Sequence, residues 1–251
     1  AITYETWDGD EVIIRATKLV SGTKSLAEPL GRQITIDFTE NASGVRVVQR
    51  GRIMFLFGFG DASVTYHILV PEGWWGDVTL HTTNGSIRAQ GIHGEAELRT
   101  SNGRITVAGQ SGRLGAFTSN GSVQLAAVNG TVVAETSNGS IGVEGGRLEG
   151  TGRLRTSNGS VHLAAKLEKD AAYSVRTSNG QVTLVLEEPD VTVDLATSNG
   201  EIKLNNVEVT ATRVGRSELA GRIGGGSALL EVRTSNGTIS LSRAGSSALY
   251  Q

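Results

Sequence analysis

Leu98-Arg99-Thr100-Ser101-Asn102-Gly103-Arg104-Ile105-Thr106-Val107 is followed by Ala116-Phe117-Thr118-Ser119-Asn120-Gly121-Ser122-Val123-Gln124-Leu125, the same phrase advanced by 18 residues. Thr-Ser-Asn-Gly occurs seven times, with asparagines at Asn102, Asn120, Asn138, Asn158, Asn179, Asn199 and Asn236, and Thr82-Thr83-Asn84-Gly85 is an eighth, variant copy. Self-similarity at a fixed period marks an architecture of stacked units. Leu219-Ala220-Gly221-Arg222-Ile223 fills the long gap between Asn199 and Asn236, keeping the Gly and Ile without the Asn. With it, the series Gly85, Gly103, Gly121, Gly139, Gly159, Gly180, Gly200, Gly221, Gly237 advances by 18, 18, 18, 20, 21, 20, 21 and 16 residues. Over the first coils Gly85, Gly94, Gly103, Gly112, Gly121, Gly130 and Gly139 stand nine apart, so each coil divides into two half-coils, each a glycine turn and a short strand.

Two residues past each series glycine comes a β-branched residue: Ile87, Ile105, Val123, Ile141, Val161, Val182, Ile202, Ile223, Ile239. Two further on stand Ala89, Val107, Leu125, Val143, Leu163, Leu184, Leu204 and Leu241, with Gly225 the exception, while Arg88, Thr106, Gln124, His162, Thr183, Lys203 and Ser240 lie between. Alternation of period two with β-branched residues inward is a half-buried strand. One coil buries about five aliphatic side chains at ~2 kcal/mol each. Ordering its backbone costs ~1–2 kcal/mol per residue. Only stacking, at ~4.8 Å per coil, closes that deficit.

Asn-Gly supplies positive φ at a corner, and Thr and Ser hydroxyls satisfy turn backbone groups. Stacking sets each Asn over the last, so Asn84, Asn102, Asn120, Asn138, Asn158, Asn179, Asn199 and Asn236 are expected to form an amide ladder. Thr shares parity with the inward residues and is expected at the core edge, with Ser outward. Asn-Gly is also a hairpin signal, but an antiparallel meander needs no identical turn at every second bend. Left-handed hexapeptide helices repeat at the wrong period, and calcium-binding nonapeptide coils need an Asp in the turn that no turn here carries. The expected fold is all-β: a single-chain parallel β-helix (right-handed β-solenoid) of about nine recognisable coils of 16–21 residues with an irregular N-terminal β cap.

Composition narrows the function classes. The net charge of −2, from 23 basic and 25 acidic residues, gives no electrostatic case for nucleic acid. The absence of cysteine excludes a disulfide framework and thiolate metal sites and leaves the compartment open. No segment has the roughly 18 apolar residues of a membrane span, and Ile53–Phe59 reads as a buried strand. No signal peptide is visible, and the start at Ala1 reads as a trimmed or mature form.

Three segments are expected: an N-terminal β cap with irregular early coils (1–78), the repeat solenoid (79–243) and a fraying Ser/Gly/Ala tail (244–251). Nine of the twelve aromatics fall in the first segment, where Val12–Lys18, Gln33–Thr39, Val45–Gln49 and Ser63–Val70 alternate like strands. Covering the open first coil prevents its edge from recruiting other chains. Trp74-Trp75, between Gly73 and Gly76, either plugs the solenoid's start or is an exposed pair that stacks on sugars or a membrane surface. The plug is the favoured reading.

Val64-Thr-Tyr-His-Ile-Leu-Val-Pro71, Val78-Thr-Leu-His-Thr-Thr-Asn-Gly85, the Thr-Ser-Asn-Gly units and Ile223-Gly-Gly-Gly-Ser-Ala-Leu-Leu-Glu-Val-Arg-Thr-Ser-Asn-Gly237 together resemble the bacterial adhesin-like β-strand-repeat family, the toastrack domains. The resemblance covers residues 62–243 well and the first 60 weakly. It implies a right-handed parallel β-helix displayed outside the cytoplasmic membrane, in the periplasm or at the cell surface. Some relatives belong to envelope-stress systems, and one branch is linked to antimicrobial-peptide sensing.

Polysaccharide lyases and hydrolases on β-helices need clustered carboxylates on one face. Here Glu95, Glu97, Glu135, Glu144 and Glu149 are scattered, and Arg113 stands where the next coil would need an acid. His67, His81, His93 and His162 form no ligand spacing on one strand; His81 and His93 could approach across a coil but lack a third ligand. Ser119 is one of seven copies of a structural turn, whereas a catalytic constellation is unique. The expectation is therefore no catalytic residue, metal or cofactor. The leading reading is an extracytoplasmic, adhesin-like structural or binding protein that meets a protein, a glycan or a second copy through its faces or ends. A carbohydrate-active enzyme and an envelope-stress or antimicrobial-peptide sensing module are the alternatives. The outward mix of Arg, Gln, His and Lys makes a poor ice-binding array.

Overall fold

The computed structural model describes residues 1–21, 35–41, 44–50 and 61–245. Among them every regular element is a strand. The N-terminal segment holds β1 (Ile2–Trp7), β2 (Ile13–Ser21), β3 (Thr35–Asn41), β4 (Gly44–Arg50) and β5 (Asp61–Pro71). The early coils hold β6 (Val78–His81), β7 (Ile87–Gln90), β8 (Ala96–Arg99), β9 (Ile105–Phe117) and β10 (Val123–Glu135). Then come β11 (Ile141–Leu148), β12 (Thr151–Arg155), β13 (Val161–Leu167), β14 (Ala172–Asn179), β15 (Val182–Leu186) and β16 (Val191–Asn199). The chain ends with β17 (Ile202–Asn205), β18 (Thr210–Val214), β19 (Glu218–Ile223), β20 (Ala228–Asn236) and β21 (Ile239–Arg243). Ile53–Phe59, Gln33 and Ile34, and tail residues 246–251 lie outside the described residues.

Coils stack in parallel, with Ile105 beside Val123 and Val123 beside Ile141. The strands form two walls. The first wall, entered from each Asn-Gly corner, runs β5, β1, β7, β9, β10, β11, β13, β15, β21, β17. The second runs β6, β8, β9, β10, β12, β14, β20, β16. Both β9 and β10 bend round a corner and contribute to both walls. Columns of inward side chains form the single core: Ile105, Val123, Ile141, Val161, Val182 and Ile239 on one wall, Leu98, Ala116, Ala134, Leu154, Val175, Val232 and Leu195 on the other, all buried. Small aliphatic residues suffice because the walls are narrow and each layer repeats the last.

The order of the layers departs from the order of the chain. β20 lies between β14 and β16, and β21 between β15 and β17. The last coil in sequence is thus the penultimate coil in space. Residues 187–190 climb two layers instead of one, and residues 228–243 fill the gap. The first strand behaves likewise, with β1 between β5 and β7.

Leu219–Ile223 is therefore not the missing coil that its Gly and Ile suggested. It belongs to β19, which runs antiparallel to β16 and is itself paired antiparallel with β18. This hairpin covers the second wall at one end, as β2, antiparallel to β5, covers the first wall at the other. Among the described residues no strand pairs with the outer edge of β6 or of β17. Leu204, inward by its parity, is accordingly 40% exposed at that open edge. β3 and β4 form a separate antiparallel hairpin.

Candidate functional site

The repeated corner is the most regular feature of the surface. Seven hydrogen bonds of 2.8–2.9 Å join eight amides, each donor Nδ2 reaching back to the Oδ1 of the layer before it. The ladder runs Asn84, Asn102, Asn120, Asn138, Asn158, Asn179, Asn236, Asn199, following the spatial order and not the sequence. Beside it Thr100, Thr118, Thr136, Thr156, Thr177, Thr234 and Thr197 are buried. Each of these hydroxyls donates, at 2.8–3.2 Å, to the corner glycine carbonyl of the neighbouring layer. The serine after each threonine faces solvent.

The corner glycines serve a different purpose from the expected one. Gly103, Gly121, Gly139 and Gly159 do not have positive φ. A Cβ on any of them would collide with the carbonyl oxygen of the layer beneath, so glycine is there for close backbone approach. Positive φ belongs to the opposite corner, at Gly94 (+122°), Gly112 (+111°) and Gly130 (+127°). Ala127 holds φ +51° where the neighbouring coils have Gly109 (+65°) and Gly145 (+71°).

The structure separates the tryptophans. Trp74 is partly buried against the core, whereas Trp75 is 70% exposed. Trp75 stacks on His93 at 5.6 Å between ring centroids, and His93 Nδ1 is 2.8 Å from Ser111 Oγ. The plug reading fits Trp74; Trp75 stands outside the core.

Three of the five acids singled out from sequence sit beside cations. Glu97 lies 2.6 Å from Arg99, Glu95 3.8 Å from Arg113 and Glu135 2.8 Å from Arg153. The hydrogen bond from Arg99 holds the Glu97 carboxyl below its ordinary range. Among the described residues no three His, Asp or Glu side chains are grouped to hold a metal ion.

A feature the sequence reading missed lies on the second wall beside the corner ladder. Arg155, Arg176 and Arg233 stand in register on consecutive layers. With Ser178, Ser198, Ser235 and Ala196 they line an open groove of about 340 Å³. Arg176 donates to both oxygens of Glu231 at 3.1 and 3.3 Å. Arg233 donates to Asp194 Oδ2 at 2.6 Å and to the Asp194 carbonyl at 2.7 Å. Arg155 is exposed and has no ion-pair partner among the described residues. The sequence signal was an arginine directly before Thr-Ser-Asn-Gly, but Arg176 and Arg233 become neighbours only through the inserted last coil.

Two parallel walls, glycine corners and amide ladders define a protein of stacked β-coils whose repeated polar residues hold the stack together. The chain belongs to the Toastrack DUF4097 family, whose model matches residues 2–242. Among solved structures, a "putative cell adhesion protein" from Clostridium sporogenes is similar over 97% of this chain and 91% of its own, at 9% identity and a TM-score of 0.27. A likeness that weak carries nothing further. No curated protein matches the chain.

Proposed function

We propose that this protein is a non-enzymatic binding or scaffolding protein of the bacterial cell envelope, displayed outside the cytoplasmic membrane as a right-handed β-solenoid of about nine coils. The observation that carries the reading is the corner: Thr and Asn, repeated layer after layer, hydrogen-bond to the adjacent layers and not to a shared cleft. Catalysis by paired carboxylates needs one acid held protonated near neutral pH. Glu97, hydrogen-bonded by Arg99, is shifted the opposite way and is therefore not suited to be that acid. What remains for function is the outer surface of two long walls, a geometry suited to extended partners. The envelope location rests on the family resemblance, and no helix among the described residues is long and apolar enough to cross a membrane.

The test is a paired assay on the purified chain. Binding to isolated envelope glycans or envelope proteins, with no turnover of a polysaccharide panel, is the expected result. Sustained release of reducing ends or unsaturated products that is lost when Glu95 and Glu97 are replaced by glutamine would end the non-enzymatic reading.

A further inference from the structure

We infer that the groove beside the corner ladder is a binding site for an acidic glycan, a sugar chain carrying about one carboxylate per residue, laid along the stacking axis across Arg155, Arg176 and Arg233. The inference rests on the binding reading above and gives it a site and a ligand class.

The first argument is charge. Like charges on directly facing strand positions are destabilising, yet three guanidiniums follow one another on adjacent layers. Two are partly offset, by Glu231 and Asp194, which lie two residues back along their strands, away from the corner. Glu135, in register with Arg155, is engaged by Arg153 at 2.8 Å. At the far end of the row Glu218, in register with Ala196, pairs with Arg213 at 3.7 Å, so five guanidiniums meet four carboxylates, and the uncompensated charge falls to Arg155.

The second argument is organisation. Arg233 is fixed by three hydrogen bonds, to Asp194 Oδ2 and to the carbonyls of Asp194 and Val232. Arg176 spends only Nη2 on Glu231 and keeps the rest of its donor fork. Ser178, Ser235 and Ser198 offer a parallel row of hydroxyls, which donate or accept and so match sugar hydroxyls. Past Arg233 the row continues with Ala196, whose small side chain leaves the groove open, and then reaches Glu218 on β19.

The third argument is spacing. Successive layers put one guanidinium every ~4.8 Å, a sparse line suited to one anion per monomer. Duplex nucleic acid carries one charge per ~1.7 Å of axis, and no aromatic ring lines the groove to stack a base. A carboxylated sugar chain fits both the charge density and the hydroxyl lining.

The probe is oligogalacturonate, titrated by calorimetry against the intact chain at low and high salt. The controls are its fully methyl-esterified form, which keeps the sugar and masks the charge, and oligothymidylate. Saturable binding to the acid form alone, weakening with salt, is the expected result. Arg155→Gln and Arg176→Gln should each weaken it about tenfold. Arg88→Gln, an exposed arginine on the other wall, should leave it unchanged. Unaltered melting curves will separate lost contacts from lost fold. Equal binding of the esterified form, equal binding of oligothymidylate, or indifference to both groove variants overturns the inference. Failure to bind oligogalacturonate at all also overturns it, while the broader binding reading still stands or falls on the envelope fractions.

Discussion

Replacing Gly121 by alanine would put a methyl group into the carbonyl oxygen of Gly103, which also accepts the Thr118 hydroxyl at 3.0 Å. Relief requires two layers to separate across a continuous ladder. The expected loss is at least about 1–3 kcal/mol in denaturant unfolding. Gly245→Ala, with open space around the new carbon, should be neutral. Ala127 is the converse. Its φ of +51° is a left-handed strain, and Ala127→Gly should raise stability by up to about 1 kcal/mol. The tyrosines give a third contrast. Tyr173, beneath Gly152, receives the Val132 N–H at 3.0 Å and points its hydroxyl at the carbonyls of Gly130 and Glu149, both at 3.3 Å. Tyr173→Phe strands those groups in the core and should cost about 1–3 kcal/mol. Tyr4 buries a hydroxyl that has no partner among the described residues, so Tyr4→Phe should be neutral or stabilising. Burial pushes both hydroxyls up to about 12. A raised folded-state value favours the protonated form, so stability is complete below about 10 and falls as the pH climbs toward 12. Denaturant midpoints at pH 9 and above pH 11 will show that fall. The double variant Y4F/Y173F should reduce it, leaving the share of Tyr66, whose hydroxyl burial also pushes up.

Between elements, one connection decides how the chain ends. Residues 187–190 skip a layer, and the returning chain enters the vacancy through Gly224, Gly225 and Gly226. Asp190 receives it: its carboxylate accepts the N–H of Gly226 at 2.7 Å, and its carbonyl accepts the N–H of Ala228 at 3.1 Å. The Ser227 side chain, together with the N–H groups of Gly226 and its neighbours, holds the Asp190 carboxyl below its ordinary range. That contribution is present above the ordinary carboxylate value and is lost as the pH falls through the lowered one. Asp190→Ala should therefore speed proteolysis and amide exchange in β20 and β21 at neutral pH. The difference from the unaltered chain should shrink as the pH falls below the ordinary carboxylate range. The parallel coils were legible in the sequence because their code is local: Gly-x-Ile-x-Val after the corner and Leu-x-Thr before it place each inward residue without knowledge of its neighbours. The insertion was not legible. β14, β20 and β16 all end in Thr-Ser-Asn, so any two of them could stack, and only the Asp190 anchor and the glycine return decide which do. Gly221-x-Ile223 imitated a coil because an antiparallel cap on the same wall needs the same alternation. The groove was hidden for the same reason as the insertion. Arg155, Arg176 and Arg233 could be read one by one, but their succession could not.

At the scale of the molecule, the two ends obey one rule: the strand first or last in sequence is tucked one layer inside, and an antiparallel strand closes the outermost layer of one wall. The caps lie on opposite walls, β2 over the first and β19 with β18 over the second. A second copy arriving head to tail would meet the edge of β17 with a wall already closed by β2, so the arrangement opposes open-ended polymerisation. The same design reverses the expected gradient of stability. In a simple stack the last coil frays first, because each coil leans only on its neighbours. Here residues 228–243 have strands on both sides, whereas among the described strands β17 pairs only with β21, its other edge held by one bond from Ile202 N–H to the Arg216 carbonyl, and β18 pairs with β19 and is exposed along its length. Native-state amide exchange should therefore find the amides of β20 and β21 opening with the core, close to the global free energy of unfolding, and those of β17 and β18 opening at much lower cost. Removing the chain beyond Asn205 deletes the wedge and leaves β16 free to stack directly on β14 in the Thr-Ser-Asn register. The full chain, which must place its last coil between those two strands, should consequently refold with a slow phase that the shortened chain lacks. Refolding traces of equal form for the two chains, or early exchange in β20, would show that the insertion exerts no control over the order of assembly.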